Sequence, residues 1–356
     1  MLHAPFYDPT KSYDENYEKG PFGAFSDGKK YIQKGEPKFN YLGHKVYLPF
    51  GIPAGPLINS KFVAAAFEKG FDVCVYKTVR SDVYPCHPFP NILSVKLKGK
   101  LTLERMKKPV AVNDKYQEPL SITNSFGVPS KKPEAWQKDV SQALKSVCNG
   151  QLLILSFMGT VRQGQTQKEF VDDFALAAKL ALETDVKVLE IDMSCPNVGT
   201  EGLVCYDLDG SEKVCAAVRD VIGDTPLILK IGYFNNNNDL EAFARIADKY
   251  AQDIAAINTL SAKIVNEYGK QALPGKSIRL DSGVCGAAIK WAGLDMVSRL
   301  VKIRQKLNAS FSITGVGGVT SPADYLEYKN AGADVVMSAT GAMWNPYLAQ
   351  EIKKVS

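Results

Sequence analysis

A thiol, two ammonium groups and several amides are the side chains of this sequence best suited to chemistry, and they recur at corresponding places along it. Short apolar runs end in Tyr76-Lys77-Thr78, in Asp192-Met193-Ser194-Cys195-Pro196-Asn197, in Lys230 and in Asn258-Thr259. Two more open into glycine-bearing turns, Gly315-Val316-Gly317-Gly318 and Ser338-Ala339-Thr340-Gly341. Singly, each has an ordinary explanation. A lysine at a strand end is a solvated rim residue, a lone cysteine fills core space, and Asn, Thr and Gly turn the chain. Their coincidence at the ends of successive strands carries the argument. A loop thiol, with an ordinary pKa of about 8.5, needs only modest tuning to act as a base near neutrality. A lysine aimed at a central cavity, such as Lys230, could stabilise electron density on a reduced cofactor. The two glycine-bearing loops could hold a phosphate through backbone N–H groups and a helix N-terminus.

The elements that must position these groups follow from periodicity. Strands are expected at LPFGIPAG (48–55), FDVCVYKTV (71–79), LLILSF (152–157), VKVLEIDM (186–193), PLILKIG (226–232), IAAIN (254–258), FSITGV (311–316) and ADVVMSA (333–339). Stretches of helical period separate them, which implies parallel strands joined by crossover helices. Thr166 with Glu169 makes a capping-box pattern, and Ser321-Pro322-Ala323-Asp324 an N-cap with proline at the first helical position. Ala331-Gly332-Ala333 closes that last helix. Eight such units give the fold class: α/β, a single (β/α)8 TIM barrel over 41–356. A doubly wound sheet would be expected to carry G-x-G-x-x-G after an early strand, and none occurs. The long connection from 80 to 132, with partial alternation over Ile92–Leu97, suggests a small β excursion at the C-terminal mouth. Residues 1–40, rich in Tyr, Lys, Gly and Pro without a clean period, read as an extended N-terminal arm.

Bulk properties exclude other classes. The chain has 356 residues, 45% hydrophobic and 23% charged, with a formal charge of +5 that forms no basic blocks, so nucleic acid is not an expected partner. Its seven cysteines (positions 74, 86, 148, 195, 205, 215 and 285) are odd in number and contain no C-x-x-C pair, against a disulfide framework, zinc ribbon or iron–sulfur cluster. Three scattered histidines give no metal site. No apolar run has membrane-spanning length and the N-terminus has no apolar signal region, so a cytoplasmic protein without a membrane partner is expected.

Taken in order, the motifs resemble the dihydroorotate dehydrogenase family, including the related flavin domain of dihydropyrimidine dehydrogenases, over about residues 40–350. Ser194-Cys195-Pro196-Asn197 is the most specific, since the cytosolic type carries S-C-P-N and the membrane-bound type a serine base. Ala54-Gly55, Lys77, Pro88-Phe89-Pro90, Asn124-Ser125-Phe126-Gly127, Lys230, Asn258-Thr259, Gly283-Val284-Cys285-Gly286, Gly315 to Val319 and Ala339-Thr340 support it. The resemblance implies an FMN cofactor across the barrel mouth. Gly286, Gly317, Gly318, Ala339 and Thr340 would hold its phosphate, and Ala54, Gly55, Lys77, Thr78 and Lys230 would line its ring. A flat substrate would stack there, gripped by Lys77, Asn124, Asn197, Asn258 and Thr259, with Cys195 as catalytic base. The implied reaction oxidises dihydroorotate to orotate in pyrimidine biosynthesis, with a small-molecule substrate, a soluble electron acceptor and a homodimeric assembly.

The chain departs from the family at Asp192, where members usually have asparagine. An ionised carboxylate only accepts hydrogen bonds, and beside an anionic substrate its charge would be unfavourable. Ser130, Gly232 and Trp291-Ala292-Gly293 depart as well. Asp192 therefore motivates a second reading, a same-family enzyme for another dihydropyrimidine or cyclic enone-like substrate. A third, a flavin-binding barrel without turnover, has no use for Cys195, both lysines and the amides together.

Overall fold

The computed structural model describes residues 2–162, 164–194 and 203–356. The eight expected apolar runs form parallel strands at Phe50–Ile52, Val73–Val79, Leu152–Phe157, Val188–Asp192, Leu227–Ile231, Asp253–Ala256, Ser312–Val316 and Val335–Met337. They are called here the first to eighth barrel strands. Each pairs with its neighbours in sequence, and the eighth returns to the first through Val336 opposite Phe50, which closes the barrel.

Side chains alternate across a strand, so every second residue points inward. Val73, Val75, Leu152, Ile154, Val188, Ile228, Ala255, Val335 and Met337 pack together as the interior, while Cys74, Leu153, Leu155, Leu189, Ile191 and Leu229 lie under the helices. The same alternation places the polar inward groups. Lys77 follows Val75, Asp192 follows Glu190 and Val188, and Lys230 follows Ile228, all toward the C-terminal ends of their strands. Strand period, rather than any loop geometry, is thus what aims both lysines into the mouth.

The N-terminal end is closed by an antiparallel hairpin, Phe39–Tyr41 with His44–Val46, whose Tyr41, Leu42 and Val46 join the interior cluster. This hairpin straddles residue 40. The Tyr41 hydroxyl shares a hydrogen bond with Thr314 Oγ1 at 3.1 Å, and Thr314 donates to Asp253 Oδ2 at 3.0 Å. Asp253 Oδ1 finds no partner among the described residues. Burial raises the Asp253 pKa from 3.8 to about 8, with the Thr314 hydrogen bond opposing. The folded state then holds a proton that the unfolded chain releases near pH 4, so this contribution to stability declines as pH rises toward 8. Asp253→Asn should flatten that decline. Melting temperatures measured from pH 5 to 8.5 test this, and parallel profiles for the two proteins would refute it.

The helix starts hold as expected. Thr166 and Glu169 form a complete capping box for Gln167–Leu182, and Ser321 accepts from Asp324 N ahead of Pro322–Asn330. Two features differ from expectation. The first forty residues are not extended throughout: Ser12 and Glu15 cap a short helix, Tyr13–Lys19. Phe6, Tyr7 and Tyr13 from this segment are buried in the main core, and Phe6 N donates to Met343 O at 3.0 Å. The β excursion is also larger. Ile92–Val95, Val110–Asn113 and Ser121–Asn124 are joined by Leu260–Val265 and Asp281–Gly286 into a second closed sheet. Its last strand pairs antiparallel with Ser121–Asn124, Gly283 opposite Asn124, across more than half the barrel sequence.

Candidate active site

Between the barrel mouth and the second sheet lies a cleft of about 1110 Å³, its open mouth included. Its lining contains Ala54, Gly55, Lys77, Thr78, Asn124, Asp192, Lys230, Asn258, Thr259, Ala339 and Thr340, all expected from the sequence. Gly286, Gly317 and Gly318 are not among its lining residues, although Cys285 and Val316 beside them are. Cys195 and Asn197 lie outside the described residues.

Lys230 and Asp192 form the polar floor. Both side chains are almost wholly buried, with Nζ 3.7 Å from Asp192 Oδ2. Lys230 also donates to Ala54 O at 3.3 Å, tying the fifth strand to the loop after the first. The carboxylate is well supplied with donors. Ser194 N and Oγ reach Oδ1 at 3.1 and 3.0 Å, and Thr78 Oγ1 reaches Oδ2 at 3.3 Å. Burial opposes ionisation of Asp192, but Lys230, Ser194 and Lys77 outweigh it and lower the pKa. The departure from the family asparagine is therefore an ionised carboxylate whose charge Lys230 balances.

Two residues earlier on the same strand, Glu190 is buried with Oε1 unpartnered among the described residues. Burial raises its pKa to about 7, Lys230 lowering and Asp192 raising it. Nothing in the sequence singled out this group except its inward parity.

The opposite wall comes from the second sheet. Asn124 Nδ2 lies 3.4 Å from Cys285 Sγ, and both line the cleft beside Ile122 and Phe126. Gly127 (φ 76°) and Val128 (φ 53°) follow, both with left-handed backbone and both on the cleft wall. Gly127 must be glycine for a second reason: an added Cβ would sit 2.6 Å from His87 Nε2. Successive N–H groups in such turns make concavities that suit anions. On the barrel side, Asn258 Nδ2 donates to Ser194 O at 3.0 Å, so this amide braces the strand end that leads to Cys195.

At the far end the loops after the seventh and eighth strands touch. Ser338 Oγ donates to Val319 O at 2.6 Å and accepts from Ala342 N. A Cβ on Gly318 (φ 69°) would fall 2.7 Å from Lys290 Cβ and 2.9 Å from Gly286 O. The three glycine-bearing segments are thus drawn into one backbone cradle. An apolar slot with a lysine-bearing floor and a backbone-lined cradle at its end fits a flat, phosphorylated cofactor. Among the described residues, no group of three or more His, Cys, Asp or Glu could hold a metal, and no helix is long and apolar enough to cross a membrane.

Sequence reasoning missed Tyr7, Tyr13, Phe126, Val128, Cys285 and Met343 as lining residues. Tyr7 and Tyr13 arrive from the N-terminal segment and stand edge-on to Phe126, with centroids 5.6 and 6.1 Å away. No local pattern announces contacts of that range.

Comparison with known proteins agrees with this geometry. The profile of the family described as dihydroorotate dehydrogenase matches residues 38–355. A dihydroorotate dehydrogenase of Dictyostelium discoideum is 35% identical over 98% of this chain and 97% of its own length. The catalytic subunit of dihydroorotate dehydrogenase B (NAD(+)) of Brachyspira hyodysenteriae is 26% identical over 66% of this chain and 72% of its own. The crystal structure of a ligand-free type DHODH from Eimeria tenella superposes with a TM-score of 0.70 at 18% identity, covering 91% of this chain and 88% of that one, which speaks to fold. The chain belongs to the dihydroorotate dehydrogenase family.

Proposed function

We propose that this chain is an FMN-dependent oxidoreductase acting on a CH–CH group, oxidising dihydroorotate to orotate in pyrimidine biosynthesis. The observation that supports it most is the convergence, on one cleft, of Lys77 and Lys230, the amides of Asn124 and Asn258, and the glycine cradle. In this reading residues 41–356 are the flavin-binding barrel and 1–40 an appended arm.

The cofactor would be held at its phosphate by the cradle of Gly286, Gly317, Gly318, Ala339 and Thr340, with Ala54, Gly55, Lys77, Thr78 and Lys230 along its ring. FMN, when bound, supplies a hydride acceptor at N5. The protein's part is to grip, orient and deprotonate. Asn124, Asn258 and Thr259 offer amide and hydroxyl groups to the pyrimidine edge, Asn197 adds another, and the Gly127–Val128 turn suits its carboxylate. Cys195, directly after the braced Ser194, takes the proton from the carbon adjacent to the hydride donor. The S-C-P-N motif is the pattern of the cytosolic type, and on that resemblance this reading takes a soluble electron acceptor, a cytoplasmic location and a homodimer.

A substrate without a carboxylate was motivated by the charge of Asp192. Lys230 at 3.7 Å balances that charge, which removes the motive. Asp192→Asn would instead remove the nearer carboxylate that offsets Lys230 and should tighten orotate about tenfold, by titration against flavin absorbance. An unchanged dissociation constant would show that this pair does not act on the ligand.

The deciding experiment is an absorbance spectrum of the purified protein followed by anaerobic addition of dihydroorotate. Bleaching of a flavin band supports the reading. A flavin that stays oxidised overturns the substrate, and a protein that neither carries nor binds FMN overturns the cofactor.

A further inference from the structure

Arg279, in the short turn Ser277–Leu280, is 2% exposed. Its guanidinium is used to the full on neutral oxygens. Nε donates to Ser125 Oγ at 3.2 Å, one terminal nitrogen to Pro88 O at 2.9 Å and to Pro274 O, the other to Pro90 O at 3.0 Å and Ser125 O at 3.2 Å. Among the described residues no carboxylate pairs with it. Carbonyl dipoles satisfy the donors but leave the charge itself uncancelled, an arrangement that is costly unless an anion arrives.

What Arg279 holds is next to the cleft. Ser125 lies between Asn124 and Phe126, which line it, and the Gly127–Val128 turn comes next. The neighbouring groups do not cancel the field. His87 Nδ1 is 3.2 Å from the same Ser125 Oγ, and burial together with Arg279 and Arg80 pushes its pKa below the usual range, so it stays neutral. The Cys86 thiol is pushed up to about 11 by burial, with Lys77 and Arg279 opposing. Asp192, the carboxylate on the floor of the cleft, is matched by Lys230.

We propose that Arg279 is a positioning and specificity-determining residue: it fixes the substrate-binding turn through Ser125 and supplies the uncompensated positive charge that selects an anionic pyrimidine over a neutral one. This rests on the functional reading above.

The test uses the FMN-loaded protein and two ligands, orotate, an anion at neutral pH, and uracil, which is neutral. Dissociation constants are read from flavin absorbance for wild type, Arg279→Lys and Arg279→Gln. Arg279→Gln should weaken orotate about tenfold more than uracil, the order expected of one charge acting across several ångström of protein. Arg279→Lys, which keeps the charge but loses the planar fork, should weaken both ligands and preserve their ratio. Equal weakening of both ligands by Arg279→Gln, or no weakening, overturns the proposal. If Arg279→Gln does not retain flavin, Arg279→Lys decides alone, and a lost ratio there overturns it. A wild-type protein that binds flavin but neither pyrimidine overturns the functional reading and this proposal together; wild-type binding with an unaltered ratio in Arg279→Gln overturns only the role of Arg279.

Discussion

Cys195→Ala should retain flavin yet be reduced by dihydroorotate roughly 10²–10⁴-fold more slowly, the usual range for loss of a general base. The residue before it, Ser194, is firmly held. Ser194 is held from two sides: its N–H and hydroxyl bond Asp192, and its carbonyl accepts from Asn258 at 3.0 Å. The end of the fourth barrel strand is therefore fixed at Ser194. Effective proton transfer needs a base held within hydrogen-bond reach of the carbon acid, and small displacements are expensive. Cys195→Ser sharpens the test. A hydroxyl ionises far less readily than a thiol, so this variant should be slow near neutrality. Anaerobic stopped-flow absorbance reads both variants, and reduction of Cys195→Ala within twofold of wild type would remove the cysteine from the mechanism.

The second large effect is expected at Lys230. Its ammonium and the Asp192 carboxylate are buried together, and Glu190 lies two residues before Asp192 on the same inward face. Removing one member of such a pair leaves an uncompensated buried charge and typically costs about 3–5 kcal/mol. Lys230→Met should therefore destabilise strongly above neutral pH. The contribution of Asp192 to the pH dependence changes sign as well. In the wild type the lowered Asp192 pKa contributes stability above the unfolded value, and this is lost as pH falls through the folded value. Without Lys230 both carboxylates would resist ionisation, and stability would fall as pH rises. Urea unfolding at pH 5.5 and pH 8 measures this. Lys230→Met combined with Asp192→Asn should recover much of the loss at pH 8. Equal stability of Lys230→Met and wild type at pH 8 would show that the pair is not holding the floor together.

Much of the barrel was legible because its signals are local. Apolar runs of strand length, the Thr166–Glu169 box and Ser321-Pro322 each depend on neighbours within a few residues, and all reappear in the structure. Strand parity also carried Lys77, Asp192 and Lys230 to one interior face, because alternate side chains share a side whatever the rest of the chain does. The amino-acid sequence by itself thus determined the eight strands, the polar groups at their C-terminal ends and the family motifs around them. It could not determine the pairing of Asp281–Gly286 with Ser121–Asn124, since pairing across that separation depends on barrel closure rather than on local preference. Nor could it show that Tyr7 and Tyr13 reach Phe126, or that Arg279 is spent on Ser125 and three proline carbonyls. Charge balance is the clearest case. Asp192 reads as an obstacle to an anionic ligand when seen in sequence, and only the tertiary structure decides otherwise, because electrostatic cost depends on which opposite charge lies within a few ångström, and Lys230 comes from the next strand.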